Sequence, residues 1–145
     1  MAIQKSFKQL LPETVRYRYS KQQKLKSRKL IEAVFTKGYH FSNFPLKVFW
    51  LPHNDFALLQ TGVGVSSRLF KKAVHRNRVK RLMREAYRHK KHLLQEHLQL
   101  HNREMSVFFL YIGKELPEYH FLLQKMEVAI TRLLKMCDEN AERNS

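Results

Sequence analysis

The sequence predicts a small α+β protein: a two-layer sandwich in which helices pack on a mixed sheet. Segments with helical spacing of apolar residues alternate with short segments of strand character, in the order helix, strand, strand, helix, strand, helix. The run MSVFFLYI at residues 105–112 is apolar and rich in β-forming residues, which is typical of a central strand covered on both faces. A length of 145 residues with 43% hydrophobic content is enough for one core, so we expect a single domain over residues 25–136.

The chain begins with a polar, basic segment, which we expect to form a flexible arm over residues 1–24. Pro12 interrupts any helix there, and no apolar periodicity is sustained. The cations of this arm either contact phosphates or have no role, and both alternatives stay open. A first helix is then predicted over residues 28–37, with Ser27 as its N-cap and Gly38 as its left-handed stop.

Two strands are predicted next, over residues 44–51 and 58–66. The first lies between the turn-prone Ser42-Asn43 pair and Pro52, and its side chains alternate. The second contains Gly62 and Gly64, which indicate either a bulge or a close approach of the backbone to another group. Because the gap between the strands is short, we expect them to pair as an antiparallel hairpin.

Residues 71–92 are predicted to form a basic helix. The segment holds ten Lys or Arg residues against one acid, Glu85, and has no Pro or Gly. Its apolar residues recur at i, i+3, i+4, i+7 and i+8, which makes one packing stripe. This stripe consists of Val79, Leu82, Met83, Ala86 and Tyr87. Most of the cations fall on the opposite side, so one helix has a packing face and a cationic face.

The basic helix is expected to continue to about Asn102 and to be followed by the strand at residues 105–112. Pro117 precedes a final amphipathic helix, and residues 137–145 are expected to form a polar, frayed tail. Cys137 lies near the apolar register of that helix, so we interpret it as inert packing. A single cysteine also excludes an internal disulfide and fits a reducing compartment.

The charge of the chain favours a polyanionic partner. Lys and Arg total 28 against 12 acids, a formal net charge of +16. Nucleic acid is the first interpretation, with an anionic membrane surface second and a solvated basic surface third. No apolar run is long enough to span a bilayer and no signal peptide is visible, so we expect a cytoplasmic protein without a membrane partner.

The residues do not predict an enzyme that acts alone. The acids are scattered singly, with no carboxylate cluster to hold a catalytic metal and no nucleotide-binding glycine motif. His97 and His101 have the i, i+4 spacing of two metal ligands, but the segment HLQLH lacks the glutamate of the zinc-protease pattern. We interpret these histidines as part of a solvated helix end.

The sequence AVHRNRVKRLMREAYR at residues 73–88 resembles the signature of the bacterial ribonuclease P protein component. The resemblance joins an RNR tripeptide to a register that continues over four turns, and it extends over residues 25–135. It takes in LIEAVFTKG of the first helix, the VGVS strand, the entry SSRLFKKAV and the later VFFLYIGKEL.

This resemblance implies a protein cofactor of a catalytic RNA, which removes the 5′ leader of precursor tRNA by Mg²⁺-dependent hydrolysis. The reaction centre would lie in the RNA, no catalytic residue in the protein, and no organic cofactor is implied. The partners would be ribonuclease P RNA and precursor tRNA, with no protein partner. The fold implied is that of a small ribosomal-protein-like domain with a left-handed β-α-β crossover, a hand that few folds use.

The resemblance also implies site residues. The leader would bind in a cleft between the sheet and the basic helix, at Phe35, Phe49 and Ser66, although both aromatics also fit an ordinary core. A metal position is unknown, with an outer-sphere place near Asn77 as the candidate. The RNA-binding residues would be Arg68, Lys71, Lys72, Arg76, Asn77, Arg78, Lys80, Arg81, Arg84 and Arg88.

The sequence departs from the family pattern at two positions. Ser67 stands where many members carry a lysine, which removes one cation from the mouth of the cleft. Ile31 stands where the first helix often carries a second phenylalanine, so a two-ring platform is in doubt. The alternative function is another basic RNA-binding module, such as a ribosome-associated protein; an autonomous nuclease would need cleavage without added RNA.

Overall fold

The structure, a computed structural model, describes residues 24–25, 28–52 and 59–143. Its described part has three helices and four strands that form one mixed sheet, so the predicted α+β class is confirmed. The elements in chain order are α1 (Arg28–Lys37), β1 (Tyr39–Asn43), β2 (Leu46–Pro52), β3 (Leu59–Val65), α2 (Ala73–Leu100), β4 (Met105–Tyr111) and α3 (Tyr119–Arg143).

The strands lie in the order β1-β2-β4-β3. β1 pairs with β2 and β2 with β4, both antiparallel, whereas β3 pairs with β4 in parallel through the β3-α2-β4 crossover. The predicted hairpin between the strands at residues 44–51 and 58–66 is therefore wrong, since β4 lies between them. The most apolar strand needs partners on both edges, and this requirement outweighs the short separation in sequence. The left hand of the crossover stays a prediction.

β1 is a strand that the sequence did not reveal. It forms the hairpin partner of β2, and the connection runs through a cis peptide bond between Phe44 and Pro45. Its residues YHFSN end in the Ser42-Asn43 pair, which is typical of turns. The pair is nevertheless in register with β2, with Asn43 opposite Leu46.

Alternation along the strands divides the sheet into two faces. Val48, Trp50 and Phe109 belong to the main core, which they form with the apolar residues of α2 and α3. Phe49 lies on the other face in a smaller cluster with Val34 of α1. The sheet and the α2–α3 pair thus make the two principal layers, and the short α1 covers part of the opposite face.

α2 packs as its periodicity predicted, because Val79, Met83, Ala86 and Tyr87 are all buried. It runs as one helix from the basic segment through Leu100. At its end Asn102 has a positive φ of 52°, and the N–H of Arg103 donates to the carbonyl of Leu98 at 2.8 Å. α2 therefore ends near Asn102, as expected.

α3 extends further than expected. Residues 138–143, which we placed in a frayed polar tail, form its last turns. Cys137 is buried in the main core, and burial raises the pKa of its thiol to about 12, which keeps the thiol protonated. This agrees with a packing role for Cys137. The division of the chain at residues 25 and 136 stays a prediction.

Gly62 and Gly64 mark a close approach rather than a bulge. The register between β3 and β4 runs without interruption from Leu59 opposite Met105 to Val65 opposite Tyr111. A Cβ atom on Gly64 would lie 2.7 Å from Cζ of Phe108, and one on Gly62 would lie 3.0 Å from its Cδ2. A side chain at position 64 would overlap the Phe108 ring, and one at position 62 would need the ring to shift by a few tenths of an ångström.

The outer edge of β3 is partly covered by the residues before α1. Lys24 forms a parallel bridge with Thr61, and the N–H of Leu25 donates to the carbonyl of Thr61 at 2.7 Å. The predicted arm at residues 1–23 and the predicted cap Ser27 lie outside the described residues. Among the described helices, none combines the length and the apolar character that crossing a membrane requires.

Candidate nucleic-acid interface

The N-terminal half of α2 and the turn before it form a cationic surface, hereafter the basic surface. Seven cations and Asn77 belong to it, and their side chains make no hydrogen bond or ion pair with any described residue. Most are exposed and Lys80 is half-buried. The members are Arg68, Lys71, Lys72, Asn77, Arg78, Lys80, Arg81 and Arg84.

Two further predicted RNA-binding residues are engaged within the protein. The Arg76 guanidinium donates to the carbonyl oxygens of Phe70 and Lys71, both at 2.7 Å, and so holds the segment that leads into α2. Arg88 is paired with Glu85 one turn away on the same helix. Both residues flank the basic surface, but each already has a partner.

The electrostatics of the basic surface are uniformly positive. No Asp or Glu occurs between residues 59 and 84, so no carboxylate on this part of the chain offsets the cations. The N-terminal turn of α2 contains no acid, and its N-cap residue Lys72 makes no side-chain cap bond. The amide groups of this helix end add further positive potential. Such a surface favours phosphate oxygens, which match arginine bidentately.

A group of three phenylalanines, hereafter the aromatic group, lies on the α1 face of the sheet. The ring centroid of Phe35 is 4.5 Å from that of Phe49 and 5.0 Å from that of Phe108. Phe35 is 39% exposed, whereas Phe49 is 9% exposed and lies beneath it. Nζ of Lys47 lies 5.3 Å from the Phe49 centroid and brings a cation to the same group.

Phe108 is a member of this group that the sequence analysis did not single out. Two consecutive phenylalanines in a central strand place one ring on each face, and glycines at i and i+2 of a neighbouring strand leave room for one ring. Gly62 and Gly64 provide that room for Phe108. Reading the two patterns together would have identified the ring.

The turn after β3 connects the strand whose glycines accommodate the Phe108 ring to the basic surface. The apolar stripe of α2 packs in the main core on one face of the sheet, and the aromatic group lies on the other face. The leader cleft stays a prediction. Ser66 lies in this turn, directly after β3, and its carbonyl accepts the N–H groups of Leu69 and Phe70, both at 3.2 Å. The Ser66 hydroxyl also accepts the N–H of Arg68 at 3.3 Å. Ser66 therefore shapes the connection between β3 and the basic surface.

The two departures from the family pattern also have positions in the structure. Ser67 is exposed in the turn, beside Arg68. Ile31 is partly buried in the small cluster formed by Leu25, Val34 and Phe49. α1 therefore carries an aliphatic side chain at this position, and Phe108 of β4 is the third ring beside Phe35 and Phe49.

Comparison with known proteins agrees with this arrangement. The family model described as Ribonuclease P matches residues 19–134. The ribonuclease P protein component of Porphyromonas gingivalis is 34% identical over 127 residues, which cover 86% of this chain and 93% of that protein. The corresponding protein of Chlorobium phaeobacteroides is 34% identical over 114 residues, covering 70% of this chain and 78% of that protein.

Two solved structures have the same fold. The RNase P protein of Staphylococcus aureus superposes with a TM-score of 0.59 at 18% identity, over 79% of this chain and 97% of that one. The protein from Thermotoga maritima gives a TM-score of 0.59 at 20% identity, over 75% of this chain and 96% of that one. With the family model matching most of its length and relatives that share a third of their residues, the chain belongs to the ribonuclease P protein family.

Proposed function

We propose that the chain is the protein cofactor of ribonuclease P, which binds the catalytic RNA and the 5′ leader of precursor tRNA and promotes removal of the leader. The observation that supports this most is the basic surface, in which eight side chains without partners among the described residues face away from the core. Its natural partner is an RNA backbone. The aromatic group beside it offers a ring to an unpaired base of the leader.

The residues divide into two roles. Arg78, Arg81 and Arg84 project from successive turns of α2, and neutralise phosphates of the RNA. Phe35 is the ring exposed enough to stack on a base, and Phe49 and Phe108 support it from below. Stacking does not depend on base identity, which suits leaders of variable sequence.

The protein alone provides little for binding Mg²⁺. Glu85 is the acid nearest to the basic surface in α2, and it is paired with Arg88. Mg²⁺ prefers oxygen ligands and retains several of its waters. Asn77, an exposed amide, would hold one such water in the outer sphere, with the inner ligands supplied by RNA. The ion would activate the hydrolysing water at the RNA, while the protein neutralises charge and positions the leader.

The test is reconstitution of 5′ maturation. The purified chain is added to a ribonuclease P RNA at low Mg²⁺, and cleavage of precursor tRNA is followed. We expect wild-type protein to restore cleavage and the Arg81→Ala/Arg84→Ala variant to bind RNA at least about tenfold more weakly, since each arginine removed leaves one phosphate without its cation. The salt dependence of binding should also become shallower by about 0.7–0.9 for each phosphate that is no longer neutralised.

Lys135→Ala is the matched control, because Lys135 is an exposed cation on α3, away from the basic surface. It should retain wild-type affinity and salt dependence. If the wild-type chain failed to promote maturation of precursor tRNA yet bound other RNAs equally well, the proposal would be wrong and a general RNA-binding module would be favoured. Cleavage by the protein without added RNA would instead indicate a nuclease.

A further inference from the structure

Three potential metal ligands converge where the C-terminal end of α2 lies against α3. His97 lies in the last turn of α2, His101 is the residue that follows the helix, and Asp138 lies in α3; their ligand atoms are all within 4.8 Å of one another. Nε2 of His97 is 2.9 Å from Oδ1 of Asp138, and the ring centroids of His97 and His101 are 4.4 Å apart. The two histidines are four positions apart, so they occupy the same side of the helix.

The donor set has the chemistry of a transition-metal site. Two imidazoles and one carboxylate are ligands that Zn²⁺ accepts, with water as the fourth. Two such ligands on a tetrahedral ion, with bonds of about 2.0–2.1 Å, are separated by about 3.4 Å. The His97–Asp138 pair would need to open by only a few tenths of an ångström, and the exposed His101 ring is free to turn toward the ion.

Arg103 is the group that competes with a cation at this place. Its guanidinium donates to the same Oδ1 of Asp138 at 2.6 Å. The bonds that Asp138 makes to His97 and Arg103 join partly exposed side chains, and ion pairs of that kind contribute little to stability. A metal ion can therefore take over Oδ1 while Arg103 moves to the other carboxylate oxygen. The ion would replace a weak contact between two helices with a stronger one.

We propose that His97, His101 and Asp138 form a binding site for Zn²⁺ or a similar divalent transition metal, which fastens the C-terminal end of α2 to α3. Because the segment HLQLH has no glutamate beside its first histidine, the site is assigned a structural role. It lies about 20 Å along α2 from Arg84, the nearest member of the basic surface, at 1.5 Å per residue, so it is separate from that surface.

The experiment measures Zn²⁺ binding to the full chain after treatment with a chelator. Titration calorimetry should give one site per chain, and Zn²⁺ should raise the melting temperature, because an ion that binds the folded state stabilises it. An excess of Mg²⁺ should neither compete nor stabilise, since it prefers oxygen ligands. His101→Ala removes a ligand without touching the His97–Asp138 contact and should weaken Zn²⁺ binding by more than about tenfold, as loss of a ligand exceeds loss of an outer-sphere partner.

His120→Ala is the matched control, an exposed histidine at the opposite end of the helix pair whose ring contacts Tyr119. It should bind Zn²⁺ like the wild type, and Asp138→Asn should weaken binding as His101→Ala does. Equal affinity in the wild type, His101→Ala and His120→Ala would overturn the proposal, as would a melting temperature that does not respond to Zn²⁺. RNA binding is measured in parallel. We expect all of these variants to keep it, which would show that the metal site is separate from the proposed function.

Discussion

Phe108 and Phe109 are neighbours in β4, and their side chains lie on opposite faces of the sheet. Phe109 is 0% exposed, with its ring centroid 5.6 Å from that of Tyr87 in the main core. Phe108 is half-buried between Phe35 and the two glycines of β3. The same residue type in consecutive positions thus has two different environments.

The difference follows from what covers each face. α2 and α3 are long helices that exclude water from one side, whereas the ten residues of α1 cover only part of the other. The first face concentrates the buried apolar area that stabilises the domain. The second leaves part of the Phe35 ring accessible. We therefore expect substitutions on the core face to change stability, and substitutions of the aromatic group to change contact with the proposed leader.

The largest effect is expected for Phe109→Ala, which should lower the free energy of unfolding by about 3–5 kcal/mol. The cost arises because a fully buried ring is removed and the helices around it cannot close the cavity. Urea denaturation measures it, with Phe108→Leu as the control on the other face, expected to cost less than about 1.5 kcal/mol. Equal effects for the two variants would contradict the contrast between the faces.

A second prediction concerns Lys91, a residue of α2 whose side chain is only 3% exposed. Burial, together with the nearby charge of Arg88, lowers the pKa of its ammonium group from 10.5 to about 8. The unfolded chain then binds more protons than the folded chain between these values, so stability should rise as the pH rises from about 8 to 10.5.

Lys91→Met should remove this rise, which amounts to about 3 kcal/mol in total on the basis of the pKa difference. The measurement is denaturation at several pH values from 7 to 10. Lys90→Met is the neighbouring control, because Lys90 pairs with Glu127 at 3.1 Å nearer the surface. A pH dependence that is the same in the wild type and in Lys91→Met would show that Lys91 does not cause the rise in stability.

Gly64→Ala tests the fit of the Phe108 ring and should destabilise the protein by about 1–2 kcal/mol through overpacking. The added Cβ would meet Cζ of Phe108 at 2.7 Å, so the ring must move. Combining it with Phe108→Leu should recover part of the stability in a double-mutant cycle. Strictly additive effects of the two changes would show that the ring is not what excludes a side chain at position 64.

The smallest effect is expected for Phe35→Ala, in the affinity of the holoenzyme for precursor tRNA that carries its leader. Loss of one stacked base should cost about 1 kcal/mol, or roughly fivefold, and mature tRNA should be unaffected. Phe121→Ala is the matched control, a helical phenylalanine that is 42% exposed on α3, against 39% for Phe35. Equal weakening for substrates with and without a leader would remove Phe35 from the leader site.

The helices could be predicted from the sequence because their signals are local. α1 begins and ends at the predicted residues, and four of the five residues of the predicted stripe of α2 are buried, with Leu82 partly buried. The strand pairing could not be predicted in the same way. Nothing between β2 and β3 indicates that β4, nearly fifty residues later, would take the position between them. Strand pairing depends on which strand edges need a hydrogen-bonded neighbour, and that is a property of the complete sheet.

The candidate site was predicted to a similar extent. The cations of α2 were identified, but their sequence does not show that Arg76 is held by the carbonyls of Phe70 and Lys71. Asp138 was assigned to a tail. Its contact with His97, 41 positions away in sequence, depends on the packing of α2 against α3. Such contacts are tertiary, so no local pattern contains them.

The central position of β4 also has a consequence during synthesis of the chain. β4 joins β2 to β3, and it is the last strand to leave the ribosome. Until residues 105–111 emerge, β3 and the β1–β2 hairpin each present an unpaired edge, which is a template for association with other chains. A nascent chain that stalls within α2 would therefore be the form of this protein most exposed to aggregation and most dependent on chaperones.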